Sequence, residues 1–256
     1  MTFFKRRKQE QEASARPAIS GNERYIGAVK GLIENYTLEQ AMELAVGGEF
    51  DAIGKLEVAT LKHFGLKDGD YLIDVGCGSG RLAQPLSRSF QGKYLGIDVV
   101  ADLTDFCHRN IQRPDWRFEV TEGLNIPEED DAADVICFFS VFTHLPHEQS
   151  YRYLKEAKRV LKPGGKILFS FLDFAVPGHW GVFEAALGDL AGRLPLIVFL
   201  NKEAIPVWAS HLGLTIQCIQ DGNQSNIPLD EPVVFNNGNV MKDLGTIGQS
   251  LCVMST

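Results

Sequence analysis

The apolar run Tyr71-Leu72-Ile73 leads straight into Asp74-Val75-Gly76-Cys77-Gly78-Ser79-Gly80-Arg81, which reads as a strand ending in a glycine-dense turn before a helix. Glycines at alternate positions remove the Cβ atoms where the chain bends and where a ligand approaches. They also leave free the backbone N–H groups that open the next helix. The plain alternative is a tight strand-to-helix turn with no ligand. A dinucleotide site is a second alternative, but it spaces its glycines G-x-G-x-x-G to seat a pyrophosphate on the helix N-terminus, and the spacing here is G-x-G-x-G.

Strands and helices alternate beyond the turn. Lys93-Tyr94-Leu95-Gly96-Ile97-Asp98 is a short strand ending in a carboxylate, a two-oxygen acceptor of the kind a ribose diol requires, and a dinucleotide site shares that reading. Arg117-Phe118-Glu119-Val120 is a third strand, followed by Thr121-Glu122-Gly123-Leu124. Asp134-Val135-Ile136-Cys137-Phe138-Phe139-Ser140 reads as a strand covered on both faces. A helix from about His147 to Leu161 places Leu154, Ala157 and Leu161 on one side and Lys155, Lys158 and Arg159 on the other. Lys162-Pro163-Gly164-Gly165 stops it, with a glycine as left-handed cap, and Lys166 to Leu172 forms the fifth strand.

The glycine turn, the acidic strand end at Asp98 and the segment Arg159-Val160-Leu161-Lys162-Pro163-Gly164-Gly165 resemble, in that order, the class I S-adenosylmethionine-dependent methyltransferases. That resemblance implies an α/β fold: a doubly wound, mostly parallel seven-stranded sheet with helices on both faces and the last strand antiparallel, between the fifth and sixth. It implies S-adenosyl-L-methionine as cofactor and S-adenosyl-L-homocysteine as product. It assigns cofactor binding to Asp74, Gly76, Cys77 and Gly78 in the first turn, to Asp98 and Val99 after the second strand, to Glu122 and Gly123 at the adenine, and to Phe139 and Ser140 beneath the cofactor. For Phe139 an ordinary core role is equally open.

A chain of 256 residues with 45% hydrophobic content can bury a large core, and its formal charge of −8 disfavours nucleic acid as a partner. Cys77, Cys107, Cys137, Cys218 and Cys252 form no C-x-x-C pair, so they suggest neither a metal site nor a disulfide framework and read as reduced cytoplasmic thiols. Residues 1–19 carry Lys5-Arg6-Arg7-Lys8 and read as a disordered leader, with a basic membrane-touching or nucleic-acid arm as the functional alternative. No stable membrane insertion is expected, because no run approaches the roughly 20 apolar residues of a spanning helix.

Residues 20–66 read as an N-terminal helical cap with capping boxes at Ser20 to Glu23 and Thr37 to Gln40, Asp51 as a third cap, and Gly47-Gly48 as a joint. Residues 67–256 read as the cofactor domain, with a helix after the glycine turn kinked at Pro85 and an apolar lid insertion over about 173–200 that includes Trp180, Leu190 and Leu194. A helix over Asn201 to Leu212, strands at Leu214 to Ile219 and Gln249 to Met254, and an extended polar connection over 221–248 complete the reading.

Methyl transfer from a sulfonium needs alignment and exclusion of water, and a neutral hydroxyl acceptor also needs a group to take its proton. His144, just beyond the fourth strand, is the catalytic candidate for contact with the acceptor and for general base; the alternative is a histidine that only orders its loop. Asp173 and His179 are weaker candidates. The leading expectation is a small-molecule methyltransferase acting on an oxygen of a secondary-metabolite, sugar-bearing or lipid-like acceptor. Nitrogen or carbon acceptors, a cofactor-binding protein without transfer activity, and a dinucleotide oxidoreductase stand as alternatives.

Overall fold

The computed structural model describes residues 21–189 and 195–256; the leader, Ser20, Leu190 and Leu194 lie outside the described residues. Strands β1 (Tyr71–Val75), β2 (Lys93–Asp98), β3 (Arg117–Val120), β4 (Ala133–Phe138), β5 (Leu161–Phe171), β6 (Thr215–Gln220) and β11 (Ser250–Ser255) form a seven-stranded sheet ordered β3-β2-β1-β4-β5-β11-β6. β11 runs antiparallel to both β5 and β6, and the other pairs are parallel. The expected seven-stranded topology is therefore the observed one.

Side chains alternate across the pleat. Ile73, Ile97, Ile136, Phe169 and Met254 enter one core with Leu154 and Ala157 of α6 (His147–Val160) and Ile205 of α8 (Ala204–Leu212). Leu72, Tyr94, Val135, Leu168 and Val253 enter the opposite core with Leu61 of α3 (Phe50–His63), Leu86 of α4 (Ala83–Leu86) and Cys107 of α5 (Ala101–Asn110). Burial on both faces explains the continuous apolar runs, each such side chain contributing roughly 1.5–3 kcal/mol.

Helices α1 (Gly21–Asn35) and α2 (Leu38–Ala45) pack on each other and, through Val29 and Met42, on Val100 and Leu103. The capping box of Thr37 and Gln40 is present. Asp51 is not the cap of α3: Glu49, at φ 48°, precedes the helix, and Asp51 lies in its first turn, where a negative charge favours the dipole. Pro85 sits in a helix of only four residues, whose first turn has no N–H partner to lose, so there is no longer helix to kink.

β5 begins before the Lys162-Pro163-Gly164-Gly165 segment rather than after it. Leu161 pairs with Ala133 and Lys166 with Val135, so the segment bulges out of one continuous strand, with Gly164 at φ 77° inside the bulge and not capping the helix. Residues 221–248 are not an unstructured connection. β7 (Ile227–Pro228) pairs with β10 (Leu244–Gly245) and β8 (Val233–Val234) with β9 (Val240–Met241), and Val233 is buried against Ala52 and Leu56 of α3. In the insertion after β5, Val176 is buried, a short 3₁₀ turn spans Pro177–His179, and α7 (Trp180–Leu187) has no buried residue.

Candidate active site

A cavity of about 570 Å³ opens at the carboxyl ends of β1, β2 and β4, within the usual size of a small-molecule site. Its floor is the glycine turn. Gly76 and Gly78 adopt φ 76° and 54°; a Cβ on Gly76 would come within 2.4 Å of Val141 Cγ2, and one on Gly78 within 2.5 Å of Val46 Cγ1. Both positions thus require glycine for conformation and for close approach. The Gly76 and Cys77 amides donate to the Ile97 carbonyl at 2.7 and 3.0 Å, which holds the turn against β2.

Asp98 terminates β2 and is buried. Its Oδ2 accepts from the Gly78 amide at 2.9 Å and its Oδ1 from the Val100 amide at 3.0 Å, leaving each oxygen a further lone pair. Burial pushes its pKa up to about 6 against the opposing pull of these amides. Asp74 accepts from the Tyr94 hydroxyl at 2.7 Å, and burial pushes it up to about 7. The Cys77 thiol is raised by its hydrogen bond with Cys107 and by burial.

A third carboxylate, Glu57 of α3, is 2% exposed and lines the same cavity, its pKa raised by burial despite the neighbouring guanidinium of Arg81. Arg81 binds Glu57 Oε1 through Nη2 at 2.5 Å and through Nε at 3.1 Å, and donates from Nη1 to the Val46 carbonyl. The Ser79 hydroxyl donates to the Met42 carbonyl at 2.8 Å. These bonds clamp α2 and α3 onto the glycine turn. Three buried carboxylates against one guanidinium leave the cavity with an excess of acidic groups suited to a cationic ligand.

Phe139, Ser140 and Val99 line the cavity. Ser140 sits at φ 60°, donates its amide to Ser170 Oγ at 2.7 Å and accepts at Oγ from Gln249 Nε2 at 3.0 Å. His144 lines the cavity as well. Its Nδ1 is 2.7 Å from the Leu196 carbonyl, an atom that only accepts, so Nδ1 carries the proton and Nε2 presents a lone pair. Nε2 has no hydrogen-bond partner among the described residues. Desolvation holds the imidazole below its usual pKa, and the Tyr25 ring stacks alongside with centroids 6.1 Å apart.

Glu122 and Gly123 are not brought to this cavity. Thr121 continues the ladder by donating its amide to the Asp98 carbonyl at 2.8 Å and lines the wall, after which the chain turns outward and leaves Glu122 and Gly123 exposed. His179 is buried and at the cavity wall, but both ring nitrogens are engaged: Nδ1 accepts from the Asp173 amide at 2.9 Å and Nε2 donates to the Gly248 carbonyl at 3.1 Å. It clasps the end of β5 to the loop before β11. Asp173 is buried outside the cavity lining.

Sequence reasoning missed Glu57, Tyr25, Thr121 and Gln249. Glu57 had a visible signal, since it falls in the stripe Ile53, Glu57, Leu61 that faces inward on α3. Gln249 had none, because its partner Ser140 is 109 residues away in sequence. No cluster of His, Cys, Asp and Glu with metal-holding geometry occurs among the described residues, and no helix among them is long and apolar enough to cross a membrane.

Residues 72–165, from β1 through the glycine turn to the bulge of β5, match the model of a methyltransferase domain. The chain is 32% identical over 136 residues to phthiotriol/phenolphthiotriol dimycocerosates methyltransferase 1 of Mycobacterium ulcerans, covering 53% of this chain and 47% of that protein. It is 28% identical over 158 residues to a ubiquinone biosynthesis O-methyltransferase of Coxiella burnetii, covering 58% and 64%. The matched stretch thus spans about half to two thirds of these relatives. In fold, it is similar to the crystal structure of an S-adenosylmethionine-dependent methyltransferase from Methanosarcina mazei, with a TM-score of 0.55 and 17% identity over 77% of this chain and 96% of that one.

Proposed function

We propose that this chain, which belongs to the class I S-adenosylmethionine-dependent methyltransferases, transfers a methyl group to the oxygen of a neutral, largely apolar small molecule. The cofactor fits the residues present. Asp98 has acceptor capacity left on both carboxylate oxygens for a ribose diol, the Gly76–Gly78 turn gives close backbone approach, and the acidic surplus of Asp74, Glu57 and Asp98 over Arg81 suits a sulfonium and an ammonium. When bound, the cofactor supplies an electrophilic methyl group on sulfur. Thr121 lines the cavity past the end of β3 and Glu122 does not, which supports Thr121 as the residue that would lie nearest the adenine.

The observation that carries the oxygen-acceptor reading is the state of His144. Its Nδ1 proton is committed to the Leu196 carbonyl, which orients the ring and fixes the tautomer, so Nε2 is the basic atom on the cavity side. Methylation of an acceptor hydroxyl releases its proton; Nε2 would take that proton, and the resulting imidazolium would keep its Nδ1–H···O=C bond to Leu196. Depression of the imidazole pKa by burial keeps it neutral and available near pH 7. An amine acceptor does not require this assistance once deprotonated.

The acceptor side of the cavity supports a neutral, apolar substrate. Leu44, Leu172, Val182, Pro195, Ile197 and Ile247 contribute its surface, and Arg81 is already paired with Glu57 and so offers no unpaired cation for an anionic acceptor. Residues 21–66 act as a cap, and residues 173–189 with 195–200 as a lid, that exclude water. His179, with both nitrogens occupied, holds the lid in place and does not move a proton.

The test is release of S-adenosylhomocysteine from the purified chain against matched phenol, secondary-alcohol and amine acceptors. Turnover of a hydroxyl acceptor that His144→Ala lowers about 100-fold or more supports the reading. Turnover of amines alone, or a hydroxyl reaction indifferent to His144→Ala, overturns it.

A further inference from the structure

Three polar side chains from three parts of the sheet meet at the cavity wall. Ser140 follows β4 and stands at φ 60°, a conformation that a residue with a Cβ holds only against strain. Its amide donates to Ser170 Oγ of β5 at 2.7 Å, and Gln249, immediately before β11, donates from Nε2 to Ser140 Oγ at 3.0 Å. Ser170 is fully buried and gives its hydroxyl proton to Gln249 Oε1 at 2.7 Å. That bond sets the direction of the carboxamide, since reversing it leaves the buried Ser170 proton without an acceptor among the described residues.

The network still has donors to spare. Ser140 Oγ accepts from Gln249, so its own proton has no acceptor among the described residues, and the second N–H on Gln249 Nε2 is likewise uncommitted among them. Ser140 and Gln249 both line the cavity, with apolar neighbours Leu172, Ile197 and Ile247. In the order β2-β1-β4-β5-β11, Gln249 stands three strand spacings, roughly 14 Å, from the glycine turn at the end of β1, and farther still from Asp98 at the end of β2. Its partner Ser140 opens the loop that carries His144: Thr143 Oγ1 donates to the Ser140 carbonyl at 2.7 Å, and the His144 amide to the Val141 carbonyl at 2.9 Å. The spare donors thus belong to the frame of His144, and Gln249 brings one of them from the side of the sheet remote from the cradle.

We infer that Ser140 and Gln249 form a subsite for a second, neutral oxygen of the acceptor, and that Gln249 thereby determines specificity. A carbonyl oxygen has two lone pairs, one for each spare donor, and an ether oxygen can take at least one. The acceptor class is then a largely apolar hydroxyl compound that carries a further carbonyl or ether oxygen. A plain hydrocarbon alcohol leaves both donors desolvated and unpaired. An anionic oxygen gains no unpaired cation from Arg81, which is bound to Glu57. That the hydroxyl of such an acceptor meets His144 rests on the function proposed above; capture of the second oxygen by Ser140 and Gln249 does not.

The experiment compares 3- and 4-hydroxyacetophenone with 3- and 4-isopropylphenol, pairs alike in shape that differ in the carbonyl oxygen. Their binding to the full chain in excess S-adenosylhomocysteine is read by ligand-observed NMR titration. At least one ketone should bind about tenfold or more tightly than its isopropyl counterpart. Gln249→Glu keeps an acceptor for Ser170 and replaces the donor facing Ser140 with an acceptor, whereas Gln249→Met removes both atoms. Each should bring ketone and isopropyl compound to within about twofold, by weakening the ketone, with S-adenosylhomocysteine affinity at the wild-type value. Equal binding by the wild type, binding of none of the four, or a ketone preference that survives Gln249→Glu overturns the inference. Loss of S-adenosylhomocysteine affinity in both variants assigns the donors to the cofactor and overturns it as well. Methyl transfer to the same phenols separates this subsite from the proposed function: a ketone preference in binding, abolished by Gln249→Glu but without turnover, supports the subsite and refutes the hydroxyl-transfer reading.

Discussion

Substituting Gly76 by alanine tests the geometry of the glycine turn through two separable costs. The first is conformational: at φ 76°, a residue with a Cβ is disfavoured by about 1–2 kcal/mol. The second is steric, because the new methyl would lie 2.4 Å from Val141 Cγ2, where carbon atoms normally stand about 3.5–4.0 Å apart. Overpacking of this kind adds about 1–3 kcal/mol. Loss of freedom in the unfolded chain offsets about 0.4–1 kcal/mol, so Gly76→Ala should destabilise by ~2–4 kcal/mol. Gly69 is the control, since its φ is 89° but nothing lies within 4 Å of where a methyl would stand, so Gly69→Ala carries only the conformational cost. Urea unfolding of both variants, of Val141→Ala and of the double variant Gly76→Ala/Val141→Ala should place Gly76→Ala well below Gly69→Ala. The double variant should recover about 1 kcal/mol or more relative to additivity. Equal costs at Gly69 and Gly76, or strict additivity with Val141→Ala, would refute the reasoning.

Other consequences follow from the buried charges. The folded pKa of Asp98, about 6, lies above its unfolded value of 3.8, so the folded chain holds this proton more tightly; the contribution is fully present below about pH 4 and is lost as pH rises through 6. Thermal unfolding of the chain without ligand should therefore show stability falling by up to ~3 kcal/mol across that window from this group, with Asp74 extending the fall toward pH 7, and Asp98→Asn should flatten the lower part. Glu57→Ala leaves the largely buried Arg81 guanidinium without its carboxylate partner and should cost about 3 kcal/mol in urea unfolding, whereas Glu57→Leu with Arg81→Leu should be far milder. The acid limb of kcat/KM on a hydroxyl acceptor should fall below pH ~6.5, because burial lowers the His144 pKa, and a limb centred above that value would contradict the assignment.

Much of this architecture is legible in local pattern. The bounds of β2 and β3 agree residue for residue with the apolar runs between turn signals, and the reversal at Gly213, φ 64°, ends α8 where a glycine stands after the last periodic leucine. Asp74, Gly76, Gly78 and Asp98 meet at one cavity because β1 and β2 are adjacent parallel strands whose carboxyl ends share an edge. What the pattern does not carry is tertiary. Glu122 satisfies a motif by residue type, but Thr121, whose amide donates to the Asp98 carbonyl, is the residue after β3 that lines the cavity, and Glu122 is left exposed. The bulge at Lys162–Gly165 reads locally as a stop signal, and only the register with β4 shows that the strand has already begun. The β7–β10 ladders are too short to leave a periodic trace, and they owe their place to burial against α3. Glu57 is the instructive case, a carboxylate in an apolar stripe, where the violation of the pattern marked the site.

If the cavity floor formed by Gly76, Gly78 and Asp98 cradles S-adenosylmethionine, calorimetric titration of the purified chain with S-adenosylhomocysteine is the decisive measurement, with NADH as comparison and Asp98→Ala as the variant. Binding of S-adenosylhomocysteine, a loss of about tenfold or more in Asp98→Ala from the removed ribose acceptor, and no binding of NADH are the expected results. Binding of NADH in preference, or affinity for S-adenosylhomocysteine that is absent or unaffected by Asp98→Ala, would contradict it.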